Sequence, residues 1–198
     1  MNKGLDGALA GRPDGSGVVP MPRCRRRAVR KHFPSWQAKR MAGDRKHEYR
    51  ISTRWTGNLG SGTSSYREYS RNHESTGSRK RQAIEGSSDP PFRGDASRYS
   101  PEELLVVALA NCHMLWVLHL CADAGIVVTE YEDDAWGEMV EHPDGSGEMS
   151  RVILRPRVRI TDGARADEMT AIHERAHAVC AMARSVRFAV THEAVVVI

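Results

Sequence analysis

The chain is short of the features that assign a protein a location or a common chemistry. Its first residues contain no apolar stretch behind a basic start, so no secretory signal is read there. The longest apolar run, LLVVALANCHMLWVLHLC, is broken by Asn111, His113 and His119, which hydrocarbon would accept only at high cost. That argues against a membrane span and for a buried helix. No internal repeat is visible. The glycines of GNLGSGT have no lysine after them and no clear helix beyond, which excludes a phosphate-binding loop. Cysteines number only four. Without a secretory signal they do not read as a disulfide framework, and they place the chain in a reducing, cytoplasmic setting, where a thiol serves as core, metal ligand or catalyst.

Positive charge is abundant but unevenly placed. Residues 1–46 carry 12 Lys and Arg against three Asp, a net of +9, while the whole chain carries +4, so residues 47–198 are acidic by five charges. The first segment is rich in Gly, Pro and Arg and has no apolar periodicity; a basic, disordered extension is expected there. PRCRRRAVRKHFPSWQAKR could contact phosphates and stack on bases, but a dispensable extension is the favoured reading over a nucleic-acid arm. A single domain is expected over 47–198.

Within that domain HEYRISTRWTG alternates as a strand with one buried face, and TSSYREYSRNHE is its expected hairpin partner. Residues 75–99 read as a long loop. Then Ser100 offers an N-cap, Pro101 suits the first helical position, Glu103 completes a capping box and Gly125 suits the far end, so a helix is expected from about 101 to 124. It is apolar nearly all round and should be a central helix covered on most sides. IVVTEYEDDAWGEMVE reads as one or two strands, HPDGSGE as a hairpin loop, and SRVILRPRVRI as a single strand with Val152, Leu154, Pro156, Val158 and Ile160 on one face. A second helix is expected through DGARADEMTAIHERAHAVCAMARSV, and a closing strand in VRFAVTHEAVVVI.

Two chemistries compete for the second helix. HERAH, from His173 to His177, fits the H-E-x-x-H pattern, in which two histidines one turn apart hold zinc and the glutamate acts as base. The extended pattern with a later Gly and third His is missing; His192 or Glu193 would have to complete the site from a strand. A zinc hydrolase is therefore disfavoured, and no metal is expected. The alternative is a thiol. Cys112 and Cys121 lie nine residues apart on one helix, half a turn round and about 13 Å along it, too far to bridge. Cys121 reads as core and Cys24 falls in the extension. Cys112 and Cys180, on separate helices, remain as the candidate functional pair.

SPEELLVVALANCHM, followed some 65 residues later by ERAHAVCAMARSV, resembles the OsmC/Ohr family of thiol-dependent peroxidases; Cys-His-Met, AGIVV and FRGD are closer to its OsmC-like branch. Ser100 replaces the family's Asn and Ala181 its Pro. The resemblance implies an α+β, OsmC-like fold: antiparallel sheets around a long central helix, a second helix bearing the late cysteine, and a tightly associated homodimer. It implies that Cys112 attacks an organic hydroperoxide, or H2O2, becomes a sulfenic acid and is resolved by Cys180. A dithiol reductant, in relatives a lipoylated protein, restores the thiols, and no cofactor is needed. By position in the motifs Glu102 matches the family's glutamate and Arg93 the arginine it holds against the thiolate, with Arg98 and Arg67 behind. Glu102 and Cys112 are ten residues apart on one helix, about 15 Å, so the resemblance further implies that Glu102 acts from a second copy across antiparallel central helices, through Leu105, Ala108, Leu109 and Met114. A non-catalytic stress or binding protein of the same family is the alternative.

Overall fold

The computed structural model describes residues 18–19 and 44–198. The strands are β1 (Val18–Val19), β2 (Ile51–Trp55), β3 (His73–Gly77), β4 (Ile84–Gly86), β5 (Val128–Asp133), β6 (Trp136–Glu141), β7 (Gly147–Leu154), β8 (Pro156–Ile160), β9 (Ala189–His192) and β10 (Val195–Val197); the helices are α1 (Pro101–Ala124) and α2 (Glu168–Val179). Apart from Val18–Val19, which pair with β10, and residues 44–46, the disordered extension expected over 1–46 lies outside the described residues.

α1 forms where its caps predict. The Glu103 backbone N–H donates to Ser100 Oγ at 3.2 Å, and the Ser100 N–H donates to Glu103 Oε2 at 2.8 Å. Gly125, at φ 71°, closes the helix in the left-handed region that disfavours a side chain with a Cβ. By length and composition α1 is apolar enough to cross a bilayer. In this fold it buries only one stripe: Leu109, His113, Val117, Leu120 and Cys121. Val107 and Leu115 stay 39% and 61% exposed, so one chain does not supply the all-round cover that the sequence predicts. Leu109, expected at a contact between copies, is instead fully buried in its own chain.

The long alternating stretch around Pro156 keeps its face but not its continuity. Val152, Leu154, Pro156, Val158 and Ile160 are all buried, yet the chain changes sheet at Arg155. β7 belongs to the sheet β6-β7-β9 and β8 to the sheet β1-β10-β8-β5. Pro156 has no N–H to continue the first ladder, and the Arg155 N–H turns aside to Asp133 Oδ1 at 2.7 Å. The C-terminal segment divides in step, with β9 parallel to β7 and β10 parallel to β8. The all-antiparallel expectation is thereby corrected: both inner ladders gain a parallel member, because the C-terminal chain follows the β7–β8 chain across the same break.

The N-terminal sheet β2-β3-β4 also departs from expectation. Its return strand is β3, not the segment starting at 63, and residues 75–99 contain the rest of β3, all of β4 and a 3₁₀ turn at Pro90–Phe92. Ser, Thr and charged residues hid these strands: Thr53 Oγ1 meets Ser75 Oγ at 2.9 Å and Arg54 meets Glu74 at 3.1 Å across the pair, polar cross-strand partners with no apolar period to detect. The stretch before β3 is wrapped on itself, with the Arg71 guanidinium over the Tyr66 and Tyr69 rings. β2 has no buried face, and Ile51 and Trp55 are 65% and 42% exposed.

Two apolar clusters hold the rest. One joins α1 and α2 to β8 and β10 through Val117, Leu120, Ile126, Val158, Ile160, Met169 and neighbours. The other packs Leu109 against Val152, Leu154 and Val190.

Candidate thiol site

α2 lays Met169, Ile172, His173 and Ala176 inward, one residue or one turn apart, as a helix covered on one face must. It ends at Val179. Cys180 is not in the helix but caps it, with φ −64° and ψ 111°, which corrects the expectation of a helix-borne late cysteine. The extended backbone there turns the chain into a 3₁₀ segment, Ala183–Ser185. That turn folds back on the thiol: the Ala183 N–H points at Cys180 Sγ at 3.5 Å.

Cys180 is 1% exposed, and the Cys112 thiol lies near enough across the helix pair to act on it. Cys112 is half-buried, and both thiols are free. Burial pushes the Cys180 thiol up to about 11, with the neighbouring Cys112 adding to the rise and the Ala183 N–H opposing it. A buried, protonated thiol behind a more accessible one suits a resolving residue rather than a first nucleophile. Cys121 is buried in the core between the helices, its Sγ 3.7 Å from Met169 Sδ, and burial holds it at about 11 as well.

The remaining sequence-predicted groups do not join the thiols within one chain. Glu102 sits in the first turn of α1, half-buried beside a cavity of about 560 Å³ with Asp89, Tyr99, Val106 and Trp136 on its walls; ten residues of helix, about 15 Å, separate it from Cys112. Arg93 is exposed at the end of the 3₁₀ turn, at φ 65°. Arg98 is committed to Asp95 and Glu85, at 3.6 and 3.9 Å. Arg67 is exposed on the 56–72 loop.

Beside the thiols stands a group that the sequence reading missed. His113 Nε2 and His173 Nδ1 are 3.0 Å apart, and the His192 ring centre lies 5.3 Å from that of His113 and 5.7 Å from that of His173, with His177 5.9 Å from His192. Burial, reinforced by His192 and His177, lowers His113 to about 4; burial, reinforced by His113 and His192, lowers His173 to about 3. His192 is lowered too, first by burial. The two innermost rings are therefore neutral at ordinary pH. His173, a zinc candidate by motif, is thus spent on another histidine, and among the described residues no three His, Cys, Asp or Glu are arranged to hold a metal ion. The signal was present: His113 and His173 each occupy a position of their helix's buried stripe, where a histidine needs a buried partner.

A family model described as OsmC-like protein matches residues 94–195. Among solved structures, an OsmC-like protein of unknown function from Vibrio cholerae aligns with 28% identity and a TM-score of 0.67, covering 75% of this chain and 99% of that one. An OsmC-like protein from Mycoplasma pneumoniae aligns with 12% identity and a TM-score of 0.59, over 78% and 100% of the two chains. An organic hydroperoxide resistance protein from Elizabethkingia anophelis shows 18% identity and a TM-score of 0.54, over 77% and 99%. The last two likenesses concern the fold alone. No curated protein matches the chain.

Proposed function

The chain belongs to the OsmC-like protein family, and from that premise we propose that it is a thiol-dependent peroxidase in which Cys112 reduces an organic hydroperoxide and Cys180 resolves the product. The observation that carries this reading is the thiol pair itself: a half-buried Cys112 beside a buried Cys180, near enough to raise the Cys180 thiol. The Cys112 thiolate attacks the terminal oxygen of ROOH, the O–O bond breaks, and ROH leaves with a proton, giving the Cys112 sulfenic acid. Cys180 then attacks that sulfur, water departs, and the disulfide forms. At pH 7 a thiol held at about 11 is ionised to roughly one part in ten thousand, but it stands beside its target, and such proximity reaches effective molarities of about 10⁵ M or more when well oriented. A dithiol, such as a lipoylated protein, takes up the two oxidising equivalents and regenerates both thiols.

A cysteine nucleophile acts as its thiolate, which a helix N-terminus or a nearby cation favours, and Cys112 lies mid-helix, away from any helix N-terminus. Arg93 held by Glu102 is the proposed cation, delivered from a second copy because the helix keeps the chain's own Glu102 about 15 Å away. The bare faces of α1 at Val107 and Leu115 support a homodimer with two composite sites.

The test is consumption of cumene hydroperoxide by purified protein with dihydrolipoamide as reductant, followed by peptide mapping after one equivalent of peroxide. The expected product is a Cys112–Cys180 disulfide. Cys112→Ser should abolish turnover, whereas Cys180→Ser should consume one equivalent and stop at the sulfenic acid. A bridge to Cys121, or peroxide consumption that survives Cys112→Ser, would refute the assignment.

A further inference from the structure

The seam between α1 and α2 is held at three places. Cys121 Sγ meets Met169 Sδ at 3.7 Å, His113 Nε2 meets His173 Nδ1 at 3.0 Å, and the Cys112 and Cys180 thiols lie near each other at the end of α2. Along α1 the contacts run from residue 121 to 113 to 112 while along α2 they run from 169 to 173 to 180, so the helices cross in opposite senses. Apart from the histidines, the inward stripes consist of Leu109, Val117, Leu120 and Cys121 on α1 and of Met169, Ile172 and Ala176 on α2. Apolar contact is non-directional and tolerates sliding or rotation. A hydrogen bond does not, since it weakens steeply with distance and angle.

The histidine pair is a poor device for stability. Whichever ring donates, one N–H and one bare nitrogen are left over, and His113 Nδ1 and His173 Nε2 are both buried without a partner. An apolar pair of similar volume would avoid that loss. What a directional bond in an apolar seam supplies is register, as a single buried polar residue does in a coiled coil. His173 precedes Cys180 by two turns on the same stripe, and His113 adjoins Cys112, so a fixed pairing of the first two constrains the second two.

We propose that His113 and His173 are positioning residues for the thiol pair: their hydrogen bond sets the register of α2 on α1 and thereby presents the capping Cys180 to Cys112. The inference rests on the reading of Cys112 and Cys180 as a working redox pair. Loss of the bond frees α2 to shift, lowers the effective concentration of one thiol at the other and makes the disulfide easier to reduce.

The experiment equilibrates full-length protein with mixtures of reduced and oxidised glutathione, in which protein dithiol and glutathione disulfide exchange for protein disulfide and two glutathione thiols. Gel shift after thiol alkylation gives the equilibrium constant. His113→Leu and His173→Leu are expected to lower it about tenfold or more, equivalent to raising the reduction potential by about 30 mV. The amide variants place a hydrogen-bonding atom where the ring nitrogen stood, Gln for the Nε2 of His113 and Asn for the Nδ1 of His173; the double variant His113→Gln/His173→Asn should stay within about threefold of wild type, a difference under about 1 kcal/mol. A purely structural pair would lower thermal stability and leave the constant unchanged. Leucine variants within twofold of wild type would overturn the inference, and if they do not fold, a tenfold fall in the amide double variant overturns it instead. Wild-type protein that never forms the Cys112–Cys180 disulfide would remove the redox reading as well, which separates the two failures.

Discussion

Acidification offers a quantitative test of the buried histidine pair. The two rings are held at about 4 and about 3, below the ordinary value of 6.5, so the fold binds their neutral forms. Below pH 6.5 the unfolded chain takes up protons that the fold refuses, and stability must fall as pH falls; above 6.5 neither state is protonated there and the effect vanishes. Each unit of difference corresponds to about 1.4 kcal/mol per ring. From pH 6.5 to 5 both rings stay neutral in the fold, giving a loss of about 2 kcal/mol per ring and about 4 kcal/mol for the pair. That is a large share of the 5–15 kcal/mol typical of a domain. The loss should flatten below about pH 4, where His113 begins to charge within the fold. Urea denaturation followed by tryptophan fluorescence at pH 7, 6 and 5, at fixed protein concentration, measures it. His113→Gln/His173→Asn removes both titrating rings and leaves His192, Asp133 and the surface carboxylates in place, so the difference between the two proteins isolates the pair. A difference of less than about 1 kcal/mol in the loss between pH 7 and 5 would show that the rings are not held neutral by burial.

Other expectations follow from packing and assembly. Leu109→Ala removes a fully buried side chain between α1, β7 and β9 and should cost about 2–5 kcal/mol in denaturant unfolding; a smaller loss would mean the cluster collapses around the gap. At Gly94 an added Cβ would lie on the Ser88 carbonyl oxygen, so Gly94→Ala should destabilise the loop before α1 by about 1–3 kcal/mol, read as a drop in melting temperature. Leu115→Asp, on a face that a single chain leaves 61% exposed, should convert a dimer to monomer in sedimentation and reduce turnover with it; unchanged mass and activity would place any interface elsewhere. Mixed dimers of Cys112→Ser and Glu102→Gln should recover activity through one intact composite site, and no recovery despite subunit exchange would confine the site to one chain. Deleting residues 1–40 removes the two pairs of Val18 and Val19 with β10 and should leave peroxidase activity unchanged, with only a small fall in melting temperature.

Features that depend on neighbours along the chain were legible in the sequence. The capping box at Ser100 and Glu103, Pro101 and the Gly125 stop are all local, and they delimit α1 as observed. The alternation from Val152 to Ile160 names five buried residues correctly because side-chain direction in a strand depends only on residue parity. Cys112 and Cys180 could be singled out by helix spacing together with a family resemblance, though the local pattern ran the second helix past Val179. Strand partners were not legible: the chain changes sheet at Arg155, whose N–H donates to the Asp133 carboxylate 22 residues away, and β9 and β10 lie parallel to strands far from them in sequence. The polar strand β3 stayed hidden because its cross-strand partners, not its own periodicity, satisfy it. The histidines were visible as letters but not as a cluster. Sequence spacing puts His173 with His177 on one turn, and that pattern reads as a metal grip; the tertiary structure puts His113 there, 60 residues away, at 3.0 Å. A buried imidazole takes its meaning from what is packed against it, and that is decided only when the two helices meet.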